Sequence, residues 1–81
     1  MRVKVVAFAR VRELLGFGER IVELPAAGSA ADLWNELCAR CEALRPLTES
    51  TRIARNGRLV ERAEKLEDGD EVALLPPAGG G

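Results

Sequence analysis

The sequence contains no histidine and only two cysteines, Cys38 and Cys41. Histidine is the commonest general base, so its absence excludes the usual histidine-based catalytic triads. A zinc site would have to take its remaining ligands from carboxylates, and nothing in the sequence suggests such a cluster. We therefore expect no metal site. In any reaction, we expect the chain to act as a substrate or carrier rather than as a self-contained catalyst.

The sequence also lacks an excess of charge of either sign. Its 12 basic and 13 acidic residues give a net charge of −1, which supplies no basic field for nucleic acid and no polybasic patch for a membrane. No apolar run approaches the ~18–20 residues that span a bilayer. The first nine residues alternate like a strand and lack the pattern of a cleavable signal. We expect a cytoplasmic protein with no nucleic-acid and no membrane partner.

The pattern of apolar residues predicts one small domain that begins with two strands. Residues 1–9 alternate as a strand, and because apolar residues occupy both faces after Val5, we expect this strand inside the sheet. A short helical turn at residues 10–15 ends at Gly16, which is typical of a C-terminal glycine cap. Residues 21–24 then form a second strand, which we expect to pair with the first as an antiparallel hairpin.

The middle of the chain predicts one long helix. Ser29 is a good N-cap, and Asp32 stands at the position that completes a capping box. Apolar residues recur at helical spacing from residue 30 onward, and Pro46 limits the helix to about residue 45.

The two cysteines lie three positions apart on this expected helix, on neighbouring turns of one face. Catalytic Cys-x-x-Cys pairs normally lie at a helix N-terminus, where the helix dipole lowers the pKa of the thiol. Cys38 and Cys41 lie near the C-terminal end instead. We therefore interpret at least one of them as a packing residue rather than as part of a redox centre.

The last part of the domain predicts two short strands and a closing strand. Residues 51–55 and 58–60 flank Asn56-Gly57, the strongest short hairpin signal in the chain. Residues 71–75 form the closing strand. One helix packed across one face of a mixed sheet gives a two-layer α+β domain. The order predicts a ubiquitin-like β-grasp of about five strands at residues 1–75, with the final strand parallel to the first.

The remaining residues, 76–81, predict an extended and flexible tail. Pro76 and Pro77 cannot continue the sheet and stiffen the exit of the chain. Six residues reach at most roughly 20 Å, and glycines can thread a channel that is too narrow for other side chains. A frayed terminus is the alternative. The stiff exit and bare tip favour a presented carboxylate at Gly81.

Three segments of the sequence resemble a known family, the small sulfur-carrier subunit of molybdopterin synthase. The first is Phe8-Ala9-Arg10-Val11-Arg12-Glu13-Leu14, and the second is Ile53-Ala54-Arg55-Asn56-Gly57. The third is Leu66-Glu67-Asp68-Gly69-Asp70-Glu71-Val72-Ala73, followed by Pro76-Pro77 and Gly80-Gly81. Two departures are Leu74-Leu75, where many relatives carry aromatic residues, and Gly79, where a serine or a similar small residue is more usual.

The resemblance implies that an adenylating enzyme uses ATP to join the carboxylate of Gly81 to AMP. A sulfur donor protein would then convert this adenylate into a thiocarboxylate, and no cofactor would be bound by the chain itself. The larger synthase subunit would receive the inserted tail in its active site and use the sulfur on a cyclic pyranopterin precursor. The resemblance also implies an assembly of two small and two large subunits. The inserted tail residues would be Pro76, Pro77, Ala78, Gly79 and Gly80.

We further expect an apolar surface that partner enzymes grip, formed by Phe8, Leu59, Leu74 and Leu75. The alternative is that these side chains belong to the core, because neighbouring strand residues point to opposite faces. A basic rim for acidic partner residues is a weaker hypothesis than a solvated face, since both charges are interspersed throughout the chain. Its candidate residues are Arg10, Arg12, Arg55 and Arg58.

Other functional classes need the same exposed tail. One is a ubiquitin-like modifier that is attached through Gly81 to lysines of target proteins. Another is a sulfur carrier for thiamine or tRNA thiolation. An interaction domain with an inert tail would tolerate the loss of Gly80-Gly81.

Overall fold

The computed structural model of this chain describes residues 1–77. Within that range it contains a mixed five-stranded sheet, two α-helices and one 3-10 helix. The strands are β1 (Arg2–Ala7), β2 (Glu19–Glu23), β3 (Arg52–Arg55), β4 (Arg58–Val60) and β5 (Glu71–Leu75). The helices are α1 (Ala9–Leu15), α2 (Ala30–Arg40) and the 3-10 helix Glu42–Leu47.

The strand order in the sheet is β2-β1-β5-β3-β4. The first two strands pair antiparallel, β5 pairs parallel with β1, and β3 pairs antiparallel with both β5 and β4. A parallel pair requires a long crossover, which the helical segment between β2 and β3 supplies. The predicted β-grasp arrangement and the interior position of β1 are confirmed.

Helix α2 covers one face of the sheet and forms the core with it. Its apolar stripe of Leu33, Trp34 and Leu37 is almost fully buried against inward-pointing residues of the strands, such as Val5 and Val72. Burying each large side chain stabilises the fold by roughly 1.5–3 kcal/mol. The Trp34 indole N–H donates a hydrogen bond of 2.9 Å to the Thr48 hydroxyl, so its polar edge is satisfied.

The predicted turn and cap residues act as expected. The Asp32 N–H donates to the Ser29 hydroxyl at 3.2 Å and the Ser29 N–H donates to the Asp32 carboxylate at 2.8 Å, which completes the capping box. Gly16 ends α1 in the left-handed conformation with φ 84°. Asn56 and Gly57 both have positive φ, 51° and 85°, as a two-residue hairpin turn of the primed type requires.

The predicted end of the long helix, at residue 45, is wrong. Helix α2 ends at Arg40, Cys41 adopts an extended conformation, and the 3-10 helix Glu42–Leu47 follows with Pro46 inside it. Proline clashes with the carbonyl four residues earlier and disfavours α conformation in the residue before it. The disruption therefore affects the whole turn that precedes Pro46, and the α-helix stops before that turn.

This break separates the two cysteines. Cys38 is buried in α2, where burial raises the pKa of its thiol, so its expected packing role is confirmed. Cys41 caps the helix, half-buried, and its thiol donates a 3.5 Å hydrogen bond to the carbonyl of Leu14. The expectation that both lie on one helix face is wrong. Both are free thiols.

The helices of residues 1–77 are too short or too polar to cross a bilayer.

Candidate functional site at the end of the central strand

The last strand, β5, delivers the chain to the surface from the middle of the sheet. Leu74 is still paired on both sides, with Ala7 of β1 and Ile53 of β3, and Leu75 is paired with Arg52. The strand then ends, and Pro76 and Pro77 are exposed outside the sheet. A strand fixed by two neighbours gives the exit point of the chain a well-defined position.

The remaining tail predictions lie outside the described residues. They concern Ala78, Gly79, Gly80 and Gly81, including the carboxylate of Gly81. Insertion of the tail into a partner stays a prediction.

The sheet face that α2 leaves uncovered carries a continuous apolar row across four strands. Val6 stands beside Ala73, Ala73 beside Ala54, and Ala54 beside Leu59. Ala54 lies outside the core cluster, yet only 6% of its surface is exposed. Its exposure is low because its neighbours on this face cover its small side chain. The row runs from β1 to the edge strand β4, directly below the exit of the tail.

Two further apolar residues extend this row towards the exit. Leu75 is half-buried on the same face, one alternation beyond Ala73. Phe8 follows β1 and is 43% exposed, while Leu59 is 53% exposed. We call this surface the open-face patch and define it as Val6, Phe8, Ala54, Leu59, Ala73 and Leu75.

Leu74 does not belong to the open-face patch. Its side chain is fully buried on the helix-covered face, together with Val72 of the same strand. Successive side chains of a strand point to opposite faces, so Leu74 and Leu75 cannot both be exposed on one surface. The predicted surface position of Leu74 is wrong, whereas Phe8, Leu59 and Leu75 do reach the uncovered face. Their contact with a partner stays a prediction.

Sequence reasoning missed Val6, Ala54 and Ala73. The alternation in β1 and β5 could have indicated Val6 and Ala73, because each lies between two inward-pointing residues. The register that brings Ala54 next to Ala73 depends on the pairing of β3 with β5, and that pairing is a long-range feature.

A cluster of charges anchors the beginning of β5. Arg55 donates to Asp70 at 2.7 Å, to Glu64 at 3.0 Å and to Glu67 at 3.1 Å. Hydrogen bonds to Asp70 first and Glu64 second raise the pKa of the Arg55 guanidinium. The cluster links the β3–β4 hairpin to the loop that precedes β5.

Asp70 is the most buried acid of this cluster, with 7% of its surface exposed. Burial alone would raise the pKa of its carboxyl group. The Glu67 N–H at 2.7 Å, the Asn56 amide at 2.9 Å and the Arg55 guanidinium all donate to the carboxylate and outweigh burial, so the net pKa is lowered.

The arrangement weakens the hypothesis of a basic rim. Arg55 is engaged in three ion pairs within the chain, and Arg10 pairs with Glu13 at 3.3 Å. Residues 1–77 also contain no group of three cysteine or carboxylate side chains placed to hold a metal ion.

A cleft of about 390 Å³ opens beside the open-face patch, between the segment before β3 and the segment after β4. Arg62 fixes one wall of it, since its guanidinium donates to the carbonyls of Thr48 and Thr51. The residues around the cleft include Thr51, Arg52, Ile53, Leu59, Glu61 and Arg62.

The sheet order, the single covering helix and the central strand that ends at the surface define a protein of the ubiquitin-like β-grasp class. A protein-family model described as the ThiS family matches residues 5–81. The chain therefore belongs to the ThiS family.

Two curated relatives carry the same name, molybdopterin synthase sulfur carrier subunit. The relative from Chlamydomonas reinhardtii is 37% identical over 83 residues, with 100% of each chain covered. The human relative is 30% identical over 83 residues and covers 99% of this chain and 94% of its own length. These full-length matches confirm the resemblance that the sequence motifs indicate.

Solved structures show the same fold. A putative molybdopterin converting factor subunit 1 from Pyrococcus furiosus is 37% identical, with a TM-score of 0.83 over 96% of this chain and 99% of its own. The small archaeal modifier protein SAMP1 from Haloferax volcanii is 25% identical, with a TM-score of 0.86 and full coverage of both chains. A complex of subunits 1 and 2 of the molybdopterin-converting factor from Helicobacter pylori matches with 27% identity, a TM-score of 0.69 and full coverage of both chains.

Proposed function

We propose that this protein is the sulfur carrier and small subunit of a molybdopterin synthase. The single observation that carries the proposal is the central strand β5, which is paired on both sides up to Leu74 and with β3 alone at Leu75, and which releases the chain at Pro76-Pro77. Relatives that match along their whole length are named as the sulfur carrier subunit of this synthase, which supports the same assignment.

The reactive group in this proposal is the C-terminal carboxylate of Gly81. A carboxylate is a poor electrophile because resonance and negative charge shield its carbon. A partner adenylating enzyme joins it to AMP from ATP with release of pyrophosphate, which supplies a leaving group. A sulfide equivalent supplied by a sulfur donor protein then bonds to the acyl carbon while the bond to AMP breaks, and the product is a C-terminal thiocarboxylate.

The large subunit of the synthase uses this thiocarboxylate. Its sulfur forms a bond to a carbon of the cyclic pyranopterin precursor as a carbon–oxygen bond of the precursor breaks. Water then cleaves the acyl carbon–sulfur bond, which leaves the sulfur on the precursor and regenerates the carboxylate of Gly81. The carrier contributes no catalytic side chain. It contributes position, because a tail held in the active site converts an encounter of two molecules into a reaction within one complex.

The tail and the open-face patch have separate roles in this proposal. Pro76 and Pro77 direct the tail away from the sheet, and Ala78, Gly79 and Gly80 pass through a narrow channel of the partner. The open-face patch, which lies beside the exit on one face of the sheet, is the surface that the partner covers. Phe8 supplies the aromatic side chain of this patch, and aromatic residues are enriched in protein interfaces.

The partners follow from the chemistry and from one relative. The matching Helicobacter pylori structure is a complex of subunit 1 with subunit 2, which supports a large-subunit partner for this chain. We propose an assembly of two small and two large subunits, an adenylating enzyme and a sulfur donor protein as further partners, and a cytoplasmic location where ATP is available.

The test is the intact mass of the protein before and after incubation with ATP, the adenylating enzyme and the sulfur donor of its host. We expect a product heavier by the difference between sulfur and oxygen, localised to Gly81. A variant that lacks Gly80 and Gly81 keeps the complete sheet and serves as the control. If neither an adenylate nor a thiocarboxylate forms on the full-length chain, the proposal is wrong.

A second candidate function has a specific observation in its favour. The SAMP1 structure matches this chain over its full length, and a matching structure from Methanosarcina acetivorans carries the full name, small archaeal modifier protein 1. A modifier would use the same adenylated Gly81 but transfer it to lysine amines of target proteins. Conjugates linked by isopeptide bonds in the host would reveal this function, and their absence together with a thiocarboxylate would favour the carrier.

A further inference from the structure

Most cations on the uncovered face of the sheet are paired across neighbouring strands. Lys4 lies 3.4 Å from Glu19, and Arg2 lies 4.0 Å from Glu23. These pairs occupy the end of the sheet at which β1 begins. They neutralise one another, so this end of the face presents little unbalanced charge to a partner.

Arg52 is different from these cations. It lies on β3 directly beside Leu75, the last residue of β5, and its side chain is exposed on the same face. Within residues 1–77, no carboxylate lies within 4.0 Å of its guanidinium group. A full positive charge therefore stands without an ion-pair partner from that part of the chain, next to the exit of the tail and at the border of the open-face patch.

Two carboxylates border the same cleft, Glu49 and Glu61, and neither forms an ion pair with Arg52. Extension of the β3–β4 ladder would place Glu61 opposite Arg52, but the ladder ends at the pair Ile53 and Val60. The two strands separate beyond that pair, and Arg62 instead holds the segment through two carbonyls. Arg52 and Glu61 thus face one cleft with opposite charges and form no ion pair.

We propose that Arg52 is a specificity-determining residue of this face, and that the large synthase subunit presents a carboxylate to it beside the tail channel. A partner that covers Leu75 and Leu59 also removes Arg52 from water. Burial of a guanidinium without an opposite charge is strongly unfavourable, and a carboxylate can accept two of its N–H groups at once. A surface without this carboxylate would be rejected, even if it matched the apolar residues.

The inference rests on the proposed function, and the experiment separates the two. The affinity of the full-length protein for the large subunit of the same organism is measured by titration calorimetry. Wild-type binding tests the proposed partner. The variants Arg52→Gln, Arg52→Glu and Arg52→Lys then test the inference, with Glu61→Gln as the matched control on the opposite side of the cleft.

We expect Arg52→Gln to weaken binding about tenfold or more and Arg52→Glu to weaken it further, by about a hundredfold. Arg52→Lys retains the charge but not the paired N–H groups, so it should fall between wild type and Arg52→Gln. Glu61→Gln should change the affinity by less than about threefold. All four variants should keep the wild-type melting temperature, because Arg52 and Glu61 make no side-chain bond within residues 1–77.

A charge exchange gives the sharpest result. Replacement of one carboxylate of the large subunit by arginine should restore binding to Arg52→Glu and weaken binding to wild type. Wild-type affinity in Arg52→Gln would overturn the inference, as would an equal loss in Glu61→Gln, which would indicate a pair within this chain. If wild type itself does not bind the large subunit, the proposed function fails first.

Discussion

The two faces of the sheet differ in what the chain itself provides to cover them. On one face, Val5, Val72 and Leu74 pack under α2 and are removed from water. On the other face, the open-face patch has no covering element within residues 1–77, and Leu59 is 53% exposed. Residues of the same apolar type thus serve stability on one face and remain available for a partner on the other.

Leu74 and Leu75 show the difference most directly. They are neighbours in sequence and chemically identical, yet Leu74 is fully buried and Leu75 is half-buried on the uncovered face. The chemistry of a side chain therefore does not determine its role in this protein. Its role depends on whether its position along β5 points towards α2 or towards the uncovered face.

The largest expected effect is the loss of the Leu74 side chain. Leu74→Ala should lower the free energy of unfolding by about 2–5 kcal/mol, because it removes buried contacts and leaves a cavity. Leu75→Ala should lower it by less than about 1 kcal/mol. Urea unfolding followed by the fluorescence of Trp34, the single tryptophan, measures both. Equal losses in the two variants would contradict the division into two faces.

The second prediction concerns binding rather than stability. Leu75→Asp and Leu59→Ala should leave the fold intact and weaken binding to the large subunit, by about tenfold or more for Leu59→Ala. Ile21→Ala is the matched control, because Ile21 is 50% exposed on β2 but lies outside the open-face patch. Calorimetric titration measures the affinities, and circular dichroism verifies folding. Unfolding of Leu75→Asp would show that Leu75 belongs to the core.

The third prediction uses the charge cluster at the beginning of β5. The pKa of Asp70 is lowered, so its stabilising contribution is complete above its ordinary value of 3.8 and is lost as the pH falls through the lower, folded value. Wild type should therefore lose stability below about pH 4. Asp70→Asn should melt at a lower temperature at neutral pH, by about 5–10 °C.

The pH profile of Asp70→Asn provides the control for this explanation. The difference in melting temperature between the variant and wild type should shrink as the pH falls below about 4, since Asp70 is then protonated in wild type. A difference that stays constant from pH 7 to pH 2 would show that the ionised carboxylate is not the cause.

The last prediction concerns the hairpin turn. Gly57 has φ 85°, and apart from Gly57 itself and its two neighbours in the chain, no atom lies within 4 Å of the position that a Cβ would take. Gly57→Ala should therefore cost only the backbone strain of about 1–2 kcal/mol and should leave the affinity for the large subunit unchanged. Denaturant unfolding and the same titration measure both quantities. A loss of binding without a loss of stability would place the turn in the interface.

Local signals in the sequence predicted much of the fold. Ser29 with Asp32 indicated the beginning of α2, Gly16 the end of α1, and Asn56-Gly57 the hairpin between β3 and β4. Each of these signals acts through bonds or dihedral angles of adjacent residues, so it can be recognised without tertiary structure. The order of these elements was sufficient to predict the β-grasp arrangement.

Other features escaped prediction because they depend on contacts between distant residues. The break at Cys41 redirects the chain so that Leu44 enters the core, and spacing alone fits a continuous helix equally well. The charge cluster unites Arg55 with three acids that follow it by 9 to 15 positions. The apolar row across the uncovered face required the register of β3 against β5.

The sequence by itself determined the order of strands and helices, the turns and caps, and the proline exit that follows the last strand. These depend on the backbone preferences of single residues and short segments. Only the tertiary structure decided which apolar residues face α2 and which face outward. It also placed Arg52 beside the exit, without an ion-pair partner in the described part of the chain. The register of the strands and the alternation of side chains along each strand determine which face a residue points to, because a shift of one residue would exchange the two faces of the sheet.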